Sequence, residues 1–326
     1  MTGELVLLTG GTGFLGAAIL VDLLKSGYRV RVAARSQSKV EKVRVAPSIL
    51  ALGTTSTQLE FVIVPDMTAA GAYDDAVRGV DFIIHAAAPL PGATDGESGE
   101  AQDQYQERFV NASVQGNLGI LKSACEKGNT VRRIVMTSST LATAPPDILT
   151  SNTSARDVLR GPDTRMSVPP PPYASQLEAY CVSKAAGLNS SEEFIRTHDT
   201  NFDLISIIPS WIFGKDELAK NTEDLRTGSS GALLNTLLTG QQREPSVGNA
   251  VLCSDVARGH VRALDPDIAG NQSFMFNVEA NWENTLPIVQ RSFPEAFKSG
   301  LFIQSDPQQT VPIKWDSSQV PFPPAT

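Results

Sequence analysis

Apolar and polar residues fall along this chain in two alternating rhythms. Leu5 to Leu8 is a short unbroken apolar run closed by Thr9-Gly10, the pattern of a strand buried on both faces. Directly after it Phe14, Leu15, Ala18, Ile19, Leu23 and Leu24 recur at helical spacing until Ser26-Gly27 stops them. The switch then repeats. Tyr28 to Ala34, Leu59 to Val64, Val80 to His85, Arg133 to Thr137 and Phe202 to Ile208 read as the second to sixth strands. Helical patterns lie between them, weak over Ser38 to Val45 and Ala72 to Val77, strong over Gln104 to Glu126 and Leu177 to Thr197. Such alternation predicts an α/β chain with a doubly wound parallel sheet and ligands at the carboxyl ends of its strands. Beyond Gly214 the alternation weakens. The chain therefore divides into a sheet domain, 1–209, and a smaller, irregular substrate-binding region, 210–326, of which about 247–265 is expected to pack back on the sheet domain. A polar stretch at about 145–175, holding the prolines Pro169 to Pro172, is too long for a connector and predicts a lid or substrate loop.

Composition narrows the frame. With 326 residues, 41% of them hydrophobic, and a net charge of −8, the chain can bury a large core and is a poor match for nucleic acid or an anionic membrane. No apolar stretch reaches the length of a membrane span, and the first strand begins too early to leave room for a signal peptide. Cys125, Cys181 and Cys253 are odd in number and scattered, which suits reduced thiols in the cytoplasm. Three histidines, His85, His198 and His260, with no Cys/His cluster, give no metal site. His85, ending an apolar strand, reads as a packed imidazole rather than a catalyst.

The glycines between the first strand and helix carry the first chemical signal. Their spacing, Gly10, Gly13 and Gly16, is G-x-x-G-x-x-G. Gly10 can take the tight turn, Gly13 lets a pyrophosphate approach the backbone, and Gly16 lets helix and strand pack closely. The helix N-terminus offers free N–H groups to anionic oxygens. A dinucleotide with a free ribose hydroxyl commonly meets an Asp or Glu at the end of the second strand. Here no carboxylate stands between Asp22 and Glu41. Instead Arg35, Ser36 and Lys39 offer positive charge and a hydroxyl to a 2′-phosphate, which points to NADPH/NADP+; the alternative for Arg35 is a solvated surface charge.

The second signal is "YCVSK". Tyr180 and Lys184 stand four apart on a predicted helix and so share a face. An ammonium near a phenol favours the phenolate and is expected to lower its pKa, letting Tyr180 trade a proton with a substrate oxygen. "MTSST" supplies Ser138 and Ser139 at the ligand edge of the fifth strand. Leu90, Leu141 and Trp211 also follow strands at that edge, so they are expected to line a mostly apolar cavity with Ser138 for a small-molecule carbonyl substrate.

Taken together, "TGGTGFLG", "HAAAP", "FVNASVQGN", "VMTSS", "YCVSKAA" and "IIPSWIFG" occur in the order found in the extended short-chain dehydrogenase/reductases. The chain resembles their dihydroflavonol-reductase-like branch of ketone and aldehyde reductases over residues 4 to 265, ending with "CSDVARGHVRAL". The resemblance implies a Rossmann fold and NADPH-dependent carbonyl reduction in the cytoplasm. It further implies Ser139 as the catalytic serine, Tyr180 as the proton donor, Lys184 as its lysine and Asn111 as an assisting asparagine. The cofactor would lie against Gly10, Thr12, Gly13, Phe14, Leu15 and Gly16 of the turn, with Asp66 and Met67 at the adenine. Ala86, Ala87 and Ala88 would follow its middle, and Pro209 with Ile212 its nicotinamide end. Asp66 could equally be a strand-end turn residue, and Asn111 a helix residue bonded locally. Two departures stand out: Ser139 and Tyr180 lie 41 residues apart, longer than the branch leads one to expect, and Trp211 stands where smaller residues are common. An epimerase or dehydratase of a nucleotide sugar, and a non-catalytic NADP(H) sensor, are the rival readings. The long helices could pair across a homodimer or simply cover the sheet of a monomer.

Overall fold

A computed structural model describes residues 3–89, 102–149, 153–241 and 244–319. The first strand, β1 (Leu5–Thr9), leads through the glycine turn into α1 (Phe14–Lys25), then β2 (Arg29–Ala34), α2 (Gln37–Arg44), the short α3 (Pro47–Leu50) and β3 (Leu59–Ile63). After β4 (Phe82–His85) come α4 (Ala112–Lys127), β5 (Arg133–Thr137), α5 (Gln176–Thr197) and β6 (Asp203–Pro209). The remainder holds β7 (Trp211–Phe213), α6 (Gly228–Thr239), β8 (Ser246–Val247), β9 (Asn249–Leu252), α7 (Cys253–Arg262), β10 (Gln272–Phe276), β11 (Val278–Glu279), α8 (Thr285–Ser292), α9 (Pro294–Lys298) and β12 (Thr310–Val311).

Seven strands form one sheet in the order β10-β6-β5-β4-β1-β2-β3, and every pairing in it is parallel. This is the doubly wound sheet that the alternation predicts, with its order reversing between β1 and β4. Both faces are covered. One core joins α1 and α7 to the sheet through Ile19, Leu23, Val135, Val256 and Val261. The other lies under α4 and α5 and holds Ile83, Ile120, Leu121, Ile134 and Phe194. Residues of β1, β4 and β5 are buried on both sides, which is why these strands read as continuous apolar runs rather than alternating ones.

The sequence pattern and the structure part in three places. β10 joins the main sheet from a stretch where no strand was expected: it is five residues long and opens on Gln272-Ser273. Ala72 to Val77 is a series of turns rather than a helix. The expected long helix over Gln104 to Glu126 is two pieces, a π-helical segment over Gln106–Asn111 followed by α4. Two small sheets, β11-β9-β7 and β12-β8, stand beside the carboxyl edge. The segment leading to α5 is strapped down rather than free. Arg160 exchanges backbone bonds with Lys314 and Asp316, Arg165 grips Glu192 on α5, and the buried Tyr173 donates to Gln106 at 2.7 Å.

Candidate active site

The order reversal between β1 and β4 opens a crevice at the carboxyl ends of both strands. Gly10 turns there with φ +73°, in the left-handed region that glycine alone enters cheaply. A Cβ on it would stand 2.7 Å from the carbonyl carbon of Ala86 and the nitrogen of Ala87. A Cβ on Gly16 would stand 2.0 Å from the Gly10 oxygen, so the start of α1 packs directly on the turn. Gly13 caps α1 with no side-chain bond, which leaves the N–H groups of its first turn, beginning at Phe14 and Leu15, facing outward beside Thr12. Across the crevice Ala86, Ala87 and Ala88 are half-buried, and the Ala87 N–H donates to the Thr9 hydroxyl at 3.2 Å. Thr9 is in turn bonded to His85 Nδ1 at 2.9 Å. Burial, reinforced by the Lys184 charge, holds His85 down at about 4, so the ring is neutral.

At the end of β2, Arg35 is exposed and makes no hydrogen bond or ion pair among the described residues, although its charge reaches Asp66 and Tyr73. Ser36 caps α2, whose first-turn N–H groups it does not bond; its hydroxyl lies 2.8 Å from that of Ser38, and Lys39 is exposed one turn along. Asp66 accepts from the Thr68 N–H at 2.8 Å and the Thr68 hydroxyl at 2.7 Å, bonds that hold its carboxyl below the usual range. This is the local turn that Asp favours at a strand end. Met67 is committed to packing: its methyl fills the space at Gly116, where a Cβ would come within 2.1 Å.

Helix α5 begins at a side-chain cap. Ser175 accepts from the Glu178 N–H at 3.1 Å while the Glu178 carboxylate accepts from the Ala174 N–H at 2.6 Å. Two turns on, Lys184 is 9% exposed and its ammonium lies 5.4 Å from the centre of the Tyr180 ring. That placement reverses one expectation. The ammonium faces the ring rather than bonding the hydroxyl, and burial pushes the Tyr180 phenol up while it brings Lys184 down to about 8. The phenol is thus held protonated. Lys184, Ser138, Ser113, Asn117 and Ser206 share, with Ala87 and Ala88, a cavity of about 20 Å³, room for one water. Ser138 Oγ is buried there with no partner. Ser139 Oγ accepts from the Leu141 N–H at 3.2 Å, capping a short turn over Thr140–Thr143, and its own hydrogen stays free to donate.

Asn111 is not brought to Lys184. Its amide bonds to Gln106 and Glu107, within the π-helical segment. The α4 residues that reach the cavity are Ser113 and Asn117, and Asn117 also donates to the Gly187 carbonyl of α5 at 3.2 Å. The signal for them was present in the sequence. Ser113, Gly116, Asn117, Ile120 and Leu121 make one helical stripe, and two polar residues interrupt its apolar run.

On the substrate side, Leu141 and Trp211 are half-buried, and the Trp211 ring stacks on Phe213 with centres 5.9 Å apart. Phe213 meets Trp282 edge-on at 5.5 Å. Leu90 lies outside the described residues. Pro209 ends β6 buried, and Ile212 packs against the core shared with α1 and α7.

Switch point, glycine turn and a helix carrying Tyr180 and the buried Lys184 beside a serine-ended strand define a Rossmann-type α/β protein. The chain belongs to the NAD dependent epimerase/dehydratase family, the extended short-chain dehydrogenase/reductases, whose family model matches residues 6–278. It is 37% identical over 319 residues to ketoreductase CTB6 of Cercospora nicotianae, covering 95% of this chain and 86% of that protein. It is 35% identical over 306 residues, 90% and 83% of the two chains, to a protein of Alternaria alternata named NAD-dependent epimerase/dehydratase ALT6. Among solved structures it resembles Gre2 of Candida albicans in complex with NADPH, with a TM-score of 0.80 at 19% identity over 99% of this chain and 95% of that one. Among the described residues no helix is long and apolar enough to cross a membrane.

Proposed function

We propose that this protein is an NADPH-dependent reductase that converts a ketone or aldehyde to the alcohol. The observation that carries the reading is the Tyr180–Lys184 pair on one face of α5: the Lys184 ammonium lies 5.4 Å from the centre of the half-buried Tyr180 ring, and the buried Lys184 opens with Ser138 onto the cavity beside Ala87 and Ala88. The residues fit the cofactor: the turn at Gly10 leaves no room for side chains where backbone must approach, α1 presents uncapped N–H groups, and the end of β2 offers Arg35, Ser36 and Lys39 with no carboxylate. When bound, NADPH supplies a hydride for the carbonyl carbon. Ser139 donates its free hydrogen to the carbonyl oxygen and fixes it. Tyr180, kept protonated by burial, gives its proton to that oxygen. Lys184 orients the phenol and holds the nicotinamide ribose. Ketoreductase names among the relatives, and NADPH in the Gre2 complex, support the same reading.

A second reading, nucleotide-sugar epimerisation or dehydration, is favoured by the name of the Alternaria relative and predicts tightly retained NAD. Following NADPH absorbance against a panel of carbonyls tests the first reading. We expect turnover, with bulky or aromatic carbonyls preferred over small charged ones because of the Trp211–Phe213–Trp282 ladder. Turnover of a sugar nucleotide with bound NAD, and of no carbonyl, would overturn it.

A further inference from the structure

The end of β5 is held from behind by a group that the reaction itself does not use. His260, on α7, is wholly buried. Its Nδ1 lies 2.8 Å from the Val256 carbonyl oxygen. A carbonyl only accepts, so Nδ1 carries the hydrogen. Burial holds the ring at about 4, hence neutral near pH 7, and Nε2 is left as a bare acceptor. The Thr137 hydroxyl, 2.8 Å from Nε2, must therefore donate to it. Both the tautomer and the direction of this bond are fixed.

Thr137 is the last residue of β5, and Ser138 and Ser139 follow it directly. Side chains alternate here across the sheet. Val135 packs with the α7 residues Val256 and Val261, Met136 belongs to the core under α4 and α5, Thr137 bonds back to α7, and Ser138 turns to the cavity of Lys184. We propose that His260 is a positioning residue for the site: by gripping the Thr137 hydroxyl from the opposite face of the sheet, it sets the direction in which the strand end presents Ser138 and Ser139. This rests on the reading of Ser139 and Tyr180 as the site of carbonyl reduction. A single hydroxyl, removed some way from the reacting atoms, then controls turnover through alignment.

The test uses two threonine variants and the full-length protein. Thr137→Val keeps the shape and loses the donor; Thr137→Ser keeps the donor. We expect Thr137→Val to lower kcat about tenfold, since small misplacements of catalytic groups are costly, while the Kd for NADPH stays unchanged. Thr137→Ser should retain kcat, a rescue that a packing role for the methyl group would not give. With three histidines in the chain, ¹⁵N NMR of histidine-labelled protein reads His260 without any substrate. It should show a protonated Nδ1 and a hydrogen-bonded, unprotonated Nε2, whose resonance moves in Thr137→Val. A protonated Nε2, or a Thr137→Val enzyme with the kcat of the parent, overturns the proposal. If the parent protein reduces no carbonyl, the functional reading falls instead; a crystal structure of Thr137→Val then decides the positioning claim, which fails if Ser138 and Ser139 do not move.

Discussion

Replacing Arg35 by alanine removes the one guanidinium at the end of β2 and touches little else. Arg35 has no hydrogen bond or ion pair among the described residues, so the fold should not notice its loss. What should change is the discrimination between the two nicotinamide dinucleotides. A hydrogen bond to a charged group contributes about 1.5–3 kcal/mol, and each 1.4 kcal/mol is roughly tenfold in affinity. Arg35 is exposed, so solvent and salt weaken its pull and put the expected loss near the lower bound, about tenfold in the Kd for NADPH. NADH carries no 2′-phosphate and should bind the variant as it binds the parent. Fluorescence titration of both cofactors against both proteins measures this, with a thermal melt beside it as the control. At higher salt the preference for NADPH should shrink in the parent and hardly change in Arg35→Ala. An unchanged Kd for NADPH, or an equal loss for NADH, would refute the reasoning and return Arg35 to the status of a surface charge.

Gly10→Ala should abolish NADPH binding and lower Tm by several degrees, because the left-handed backbone costs an L residue roughly 1–2 kcal/mol and the new Cβ would stand 2.7 Å from the Ala86 carbonyl carbon; normal titration of NADPH by this variant would contradict it. Lys184 gives a pH signature. Its pKa is about 8 in the folded protein against 10.5 unperturbed, so between those values the unfolded chain holds a proton that the folded chain lacks. Stability contributed by this group therefore rises with pH through that window, by up to about 3 kcal/mol. Lys184→Met should be the more stable protein at pH 7, with its lead shrinking as pH approaches 10.5; parallel denaturation curves for the two proteins across that range would rule this out.

Much of the sheet was legible because its central strands β1, β4, β5 and β6 are buried on both faces. β5 runs over Arg133–Thr137 as its apolar pattern indicated, and β2, β3, β4 and β6 fall within two residues of theirs. β10 escaped because its first two residues are polar: Ser273 meets Arg165 from the strap, a partner that no local pattern reveals. Asn111 was assigned from the resemblance alone, and its amide bonds locally to Gln106 and Glu107 in the π-helical segment, the local-bond alternative that the sequence also allowed. The phenol departs from its expectation for an electrostatic reason. The spacing of Tyr180 and Lys184 puts them on one face, yet sequence does not tell whether the ammonium meets the hydroxyl or the ring, nor how deeply both are buried. Likewise "MTSST" gives two serines at the strand end but not their difference: Ser139 is spent on a cap and keeps its hydrogen, while Ser138 faces the cavity without a partner.

Turnover in Tyr180→Phe measures the central claim most directly. The change deletes one hydroxyl and keeps the ring beside Lys184. Steady-state reduction of the best carbonyl in the panel, at saturating NADPH, should fall by about 10² to 10⁴, the usual contribution of a positioned proton donor, while fluorescence titration gives the same Kd for NADPH as the parent. If Tyr180→Phe keeps most of its kcat with cofactor bound, the proton reaches the substrate from another group, and the assignment of this site to Tyr180 is wrong.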